Sequence, residues 1–187
     1  MNILILDEDP KKSAEYHCDM HIKSFVLNYS QLLSSCHWIS LYNKEEEKMF
    51  FKKLKDMKEF FYNKYPEGHV SRPPYSMNYI NNSCTHWIRE SIQNYNWACD
   101  ILIAACNEYK KRYNNIHKCQ EYSIWFKNNI PFDIPDIGLT NFCINVPDKY
   151  KISEDAIICY REFYNKEKQF ATWKLNNIPS WFERKDK

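Results

Sequence analysis

The chain has 187 residues, enough for one domain with a substantial hydrophobic core. Lys plus Arg is 26 against 24 for Asp plus Glu, a net charge of +2 that gives no argument for nucleic-acid binding from charge. The only glycines are Gly68 and Gly138, which excludes a Walker loop and a GxGxxG dinucleotide loop.

No apolar run approaches the roughly 18 residues of a membrane span, and no basic segment precedes the first apolar run. The expectation is no membrane helix and no signal peptide. Eight cysteines are scattered without a CxxC pair, so reduced thiols are expected.

Ile3 to Leu6 reads as a short strand or an extended buried segment. Asp9 before Pro10 is an N-cap followed by proline at the first helical position, where its missing N–H costs nothing. A helical pattern follows to about Ser40, with a break expected near Cys18. Ile22, Phe25, Tyr29, Leu32, Leu33 and Cys36 share one arc of it. His21 sits at the edge of that arc and His17 just beyond. Asp19 points away from His21 unless the helix kinks.

Residues 44 to 64 predict a second amphipathic helix, with Phe50, Leu54, Met57 and Phe61 in step and Glu45-Glu46-Glu47 at its start. A loop follows around Gly68 and Pro73-Pro74. Residues 83 to 113 predict the longest helix, ended by Asn114-Asn115. Its apolar arc includes Ile88, Ile92, Tyr95, Cys99, Leu102 and Cys106, with Arg89, Gln93, Asn96 and Asp100 opposite. Between these arcs runs a stripe of Glu90, Asn94, Trp97, Ile101, Glu108 and Arg112. Such a stripe fits a helix that lines a polar pocket, or a plain Glu108–Arg112 pair beside a half-exposed indole.

Residues 118 to 127 predict a short helix, and 128 to 151 a proline-punctuated irregular region. A last helix runs from Ser153-Glu154-Asp155 to about Phe170. Ile178 to Phe182 is apolar enough to dock on the body. The fold class expected is mainly α: a single helical domain over 1–187, with a strand-like N-terminal segment and an irregular C-terminal region.

His17 and His21 have HxxxH spacing but lack the Glu that a HExxH zinc protease uses as base. No metal and no cofactor are expected. His21 is the candidate general acid/base, with Glu108 as the second catalytic group. Asn94 and Glu108 would orient a base and Trp97 would stack on it. Arg112 offers a planar fork for phosphate or carboxylate, and His17 completes the binding set. His21 and the stripe are expected to converge on one pocket. Arg89, on the opposite arc, takes a structural or backbone-contact role. Weaker candidates are an Asp7–Asp9 carboxylate pair, a Cys119 thiol beside His117-Lys118, and the basic-aromatic run from Tyr109 to Tyr113.

LDEDP, AEYHCDMH and QLLS, then CTHWIRES, NYNW, EY with RY, and HK follow one another in order, with VPDKYK, YREFY and IPSWF later. This series resembles a widespread, mostly uncharacterised family of small tailed-bacteriophage proteins. The resemblance spans nearly the whole chain, with an insertion over 43–72. It departs where the family pattern carries two histidines, at positions held here by Tyr79 and Asn82. It implies a phage protein at work in the host cytoplasm, in nucleotide metabolism, DNA base modification or defence evasion. The leading functional expectation is an enzyme acting on a DNA base or nucleotide by base modification or glycosyl-type chemistry. The alternative is a non-catalytic binder that sequesters a nucleotide or blocks a host defence protein.

Overall fold

The structure is a computed structural model that describes residues 2–45, 51, 53–175 and 177–184. Among them lie seven α-helices, one 3-10 turn and no β-strand, so the protein is mainly α. The helices are α1 (Pro10–Tyr16), α2 (Asp19–Asn43), α3 (Leu54–Lys64), α4 (Ser83–Glu90), α5 (Ile92–Tyr113), α6 (Gln120–Asn128) and α7 (Ala156–Glu167).

α5 is the central element. It packs against α1, α2, α4 and α6, which explains why apolar and polar residues on several of its sides are buried. The Ile3–Leu6 segment is extended and buried, though not part of a sheet. At its end the backbone of Leu6 is satisfied by side chains instead: its N–H donates to Ser13 Oγ and its carbonyl accepts from Arg161 Nε. Buried backbone needs such partners wherever no ladder supplies them.

Asp9 caps α1 as its sequence suggests, with Oδ1 accepting from the Lys11 N–H at 2.8 Å. The expected break falls at His17-Cys18, whose backbone is extended before α2 begins. The helix expected over 83–113 is two helices. Ser91 at φ −154° and ψ 158° divides α4 from α5, and its Oγ accepts the Asn94 N–H. N-cap chemistry overrides the continuous apolar period here, because a serine hydroxyl offers the backbone another partner. Asn114, at φ 49°, ends α5 in the left-handed conformation, its N–H bonded to the Lys110 carbonyl.

α2 runs on to Asn43, and the helix expected from 44 begins at Leu54. Phe50, Glu46 and Glu47 lie outside the described residues. α3 forms a second apolar cluster with the end of α2, built on Trp38, Phe61, Tyr65 and Met77. The C-terminal segment docks as expected: Phe182 is buried, and Trp181 meets the rings of Tyr16 and Tyr164 edge-on.

Candidate functional site

The C-terminal end of the α5 stripe, Glu108 and Arg112, lies beside the end of α1, while Asn94 lies at the α4–α5 junction. A seven-residue helix leaves its last carbonyls without intrahelical donors. Here each of the last four has one. The Ser13 carbonyl meets His17 Nδ1, and the Ala14 carbonyl accepts the His17 N–H. The Glu15 carbonyl accepts from Arg112 Nη2 at 2.9 Å, and the Tyr16 carbonyl from Trp173 Nε1 at 3.0 Å. At the other end, Trp97 Nε1 donates to the Glu8 carbonyl at 2.7 Å. Of the stripe, Arg112 thus closes one α1 carbonyl and Trp97 bonds the segment that leads into α1; His17 and Trp173 supply the other donors.

Arg112 is 4% exposed and its fork is occupied. Nε bonds Glu108 at 2.8 Å, and Nη1 bonds the His17 carbonyl at 2.7 Å and Asp19 at 3.1 Å. The Glu108–Arg112 pair considered from sequence is therefore part of a buried network, and the indole of Trp97, expected to be half-exposed in that reading, is buried. Asp19 also accepts from Thr172 Oγ1 and the Lys174 N–H, so the C-terminal segment locks the break between α1 and α2. The break turns Asp19 toward Arg112, which a straight helix would not do.

His21 is 4% exposed, stacked on Phe25 with ring centroids 4.5 Å apart, and bonded through Nδ1 to the Tyr164 hydroxyl. Burial, helped by the nearby His17 and Lys168, pushes its pKa down to about 3. Burial likewise lowers His17 to about 4, against a rise from its bond to the Ser13 carbonyl. His17 Nε2 accepts from Tyr29 at 3.0 Å. Both rings are neutral near pH 7, and a base of pKa about 3 is poorly matched to proton transfer there.

Asn94 is fully buried across the α4–α5 break. Its amide donates to the Trp87 carbonyl and to Thr140 Oγ1, and its Oδ1 accepts the Thr140 N–H. The carbonyl of Trp87 would accept from Ser91 in an unbroken helix, so Asn94 replaces a lost backbone donor. Trp97 is buried against Trp87 and Phe142. The expected convergence is partial. His17, His21, Glu108 and Arg112 share one neighbourhood, while Asn94 begins α5, about 27 Å of helix from Arg112.

Arg89 takes up the backbone role expected of it. Nη1 reaches the Cys36 carbonyl and Ser40 Oγ, and Nη2 pairs with Asp133 at 2.6 Å. Asp7 pairs with Arg161 at 3.2 Å, Cys119 meets the Tyr75 hydroxyl, and Tyr113 carries the ammonium groups of Lys23 and Lys174, each 4.9 Å from its ring centre.

Open concavities lie elsewhere. One of about 460 Å³ lies between α1 and α5, with Lys11, Glu15, Asn107 and Glu108 around an apolar floor of Ile103 and Ala104. Two more, of about 540 and 310 Å³, adjoin where both are walled by Val70 and Trp125. The first of these carries His69, Arg72, Tyr75 and Tyr122, and the second His37, Lys44 and the 129–132 segment. Together they make a groove between the 66–76 loop, α6 and the end of α2. The loop is held rigidly: Trp38 Nε1 donates to the Tyr75 carbonyl, Ser34 Oγ accepts the Tyr75 N–H, and Arg72 Nη1 donates to the Tyr65 carbonyl. Gly68 turns the loop at φ 84°, a conformation that side chains oppose.

Sequence reading missed this groove because Trp125 and Arg72 lie far apart in the chain, on a helix and a loop with no shared pattern. No helix among the described residues is long and apolar enough to cross a membrane, and none of their His, Cys, Asp and Glu groups gather in threes suited to a metal ion. No protein-family model, curated protein or solved structure matches the chain.

Proposed function

We propose that the protein is a non-catalytic binding protein that holds a nucleotide or an exposed nucleic-acid base in the groove between Trp125 and the 66–76 loop. The observation that carries this reading is a division of labour. His17, His21, Asn94, Trp97 and Arg112 are buried and bonded inside the fold. The groove instead offers half-buried Trp125 and Tyr122 as stacking surfaces, with Lys44 and Arg72 for an anionic group. Aromatic faces accept any base, and cations track its phosphate. A phage protein that sequesters nucleotides in its host's cytoplasm is the setting this proposal adopts.

The test is titration calorimetry with nucleoside monophosphates, nucleoside triphosphates and a short single-stranded oligonucleotide. Saturable binding that weakens about 5- to 140-fold in Trp125→Ala, the range for loss of one stacked base, supports the reading. No binding by any of these, or equal binding by the variant, overturns it.

A second reading keeps the enzyme. Glu108 spends one carboxylate oxygen on Arg112, while Oε2 stands 3.6 Å from Lys111 at the wall of the α1–α5 cavity. In this reading that oxygen, paired with Lys111 and 4% exposed as a residue, does acid/base work on a substrate in the cavity. Product formation from a nucleotide or DNA base that Glu108→Gln abolishes would favour it.

A further inference from the structure

We propose that Cys84 and Cys143 form an oxidisable dithiol, closed to a disulfide by a hydroperoxide. This site is independent of the groove and of any ligand held there.

Cys84 lies in the first turn of α4, and Cys143 in the irregular segment that follows Thr140. The two sulfurs are 3.6 Å apart, with the Cys143 thiol donating to Cys84 Sγ. They must close to about 2.0 Å to bond. Asn145 Nδ2 points at Cys84 Sγ from 3.8 Å, adding a second donor. Cys143 is half-buried whereas Cys84 is enclosed, so the pair meets solvent on the Cys143 side. The segment that carries Cys143 is irregular and can follow its sulfur inward, whereas α4 is fixed by its packing on α2 and α5.

The electrostatics agree with the geometry. The bond from Cys143, together with the Ile3 backbone and Asn145, lowers the Cys84 thiol against the opposing effect of burial. Its partner is pushed up, first by that same bond and then by burial. Cys18, Cys36, Cys99 and Cys106 are all raised by burial. Only a thiolate attacks a peroxide, so this pair stands apart from those four.

The reaction balances. The Cys84 thiolate attacks one peroxide oxygen, and the O–O bond breaks. Cys84 becomes a sulfenic acid, and the leaving oxygen takes up a proton as water or an alcohol. The Cys143 sulfur then attacks Cys84 Sγ, its proton leaves with the displaced hydroxide as water, and the S–S bond forms. Two thiols are oxidised and one hydroperoxide is reduced.

The experiment treats the full-length folded protein with hydrogen peroxide, alkylates the remaining thiols, and maps peptides without reduction. The expected result is a single linked pair, Cys84 to Cys143, with the intact mass lower by two hydrogens and the other cysteines alkylated. Cys143→Ser should abolish the link and leave Cys84 sulfenylated, trapped by a dimedone probe. Cys84→Ser should leave Cys143 reduced at the same dose. Linkage of a different pair first, or Cys84 and Cys143 both still reduced when other cysteines of the folded protein have been oxidised, would overturn the proposal.

Discussion

Arg112 Nη1 stands 3.1 Å from Asp19 Oδ1 and 2.7 Å from the carbonyl oxygen of His17, so one guanidinium joins α5 to both sides of the break between α1 and α2. With Glu108 on Nε and the Glu15 carbonyl on Nη2, its donors are spent on the fold. Arg112→Met takes the guanidinium from Glu108 and Asp19 and leaves the Glu15 carbonyl at the end of α1 without its donor. Removing one member of a buried pair costs about 3–5 kcal/mol. Arg112→Lys keeps the charge but cannot reach four acceptors with a point ammonium, so it falls between. Chemical denaturation measures both. A loss below about 1 kcal/mol in Arg112→Met would show that the network is dispensable and free Arg112 to serve as a ligand contact.

The buried histidines set a pH dependence. His17, His21 and His37 have pKa values lowered to about 4, 3 and 3, mainly by burial. A depressed folded-state pKa means that the unfolded chain takes up protons first as pH falls. Stability from these groups is therefore complete above their ordinary value of 6.5 and declines as pH drops from there toward about 3–4. Each tenfold loss of proton affinity on folding corresponds to about 1.4 kcal/mol. Urea midpoints between pH 8 and pH 4 should fall steadily below about 6.5. In His21→Phe that fall should be shallower, and an unchanged slope would show that His21 protonates freely in the fold.

Much of the fold is legible in the sequence, and the exceptions have physical causes. Asp9-Pro10 marks the start of α1 because cap and proline act locally. Asn114 ends α5 for the same kind of reason. The division at Ser91 is hidden, since Ile88, Ile92 and Tyr95 keep the apolar period across it. Its signal is the pairing of Ser91 with Asn94 three residues on, a cap in the middle of an apolar pattern. The polar stripe of α5 is legible as a stripe. What covers it is not, because periodicity shows only that a face borders the core. A pocket and a short helix with unpaired carbonyls place the same demand on that face. α1, far earlier in the chain, supplies the second at Arg112, while Trp97 meets the Glu8 carbonyl and Asn94 the α4–α5 junction.

Asn94 gives a sharp test of that reading. Asn94→Ala removes the donor to the Trp87 carbonyl and the acceptor for the Thr140 N–H, both in the buried α4–α5 junction. Leaving buried groups unsatisfied costs about 1–3 kcal/mol. Hydrogen exchange should rise at the start of α5 and around Thr140, while ligand affinity in the folded protein stays as in the parent. An intact junction with lost ligand binding would place Asn94 in the site after all.

The two tryptophans separate fold from function. Trp97 is buried between Trp87 and Phe142 and donates to the Glu8 carbonyl. Trp125 is half-buried, packs on His37 and Phe126, and walls both halves of the groove. Trp97→Ala opens a cavity in the core and unpairs Glu8, a loss of about 3–5 kcal/mol. Trp125→Ala removes less buried area, so its effect on stability should be smaller. Under the binding proposal the order reverses for ligand affinity: Trp125→Ala loses about 1–3 kcal/mol of stacking, and Trp97→Ala binds like the parent as long as it is folded. Denaturation and calorimetry on the same two variants read both quantities. If Trp97→Ala loses ligand affinity at a temperature where it is folded, and Trp125→Ala does not, the ligand lies at the Trp97 end of α5 and the groove assignment fails.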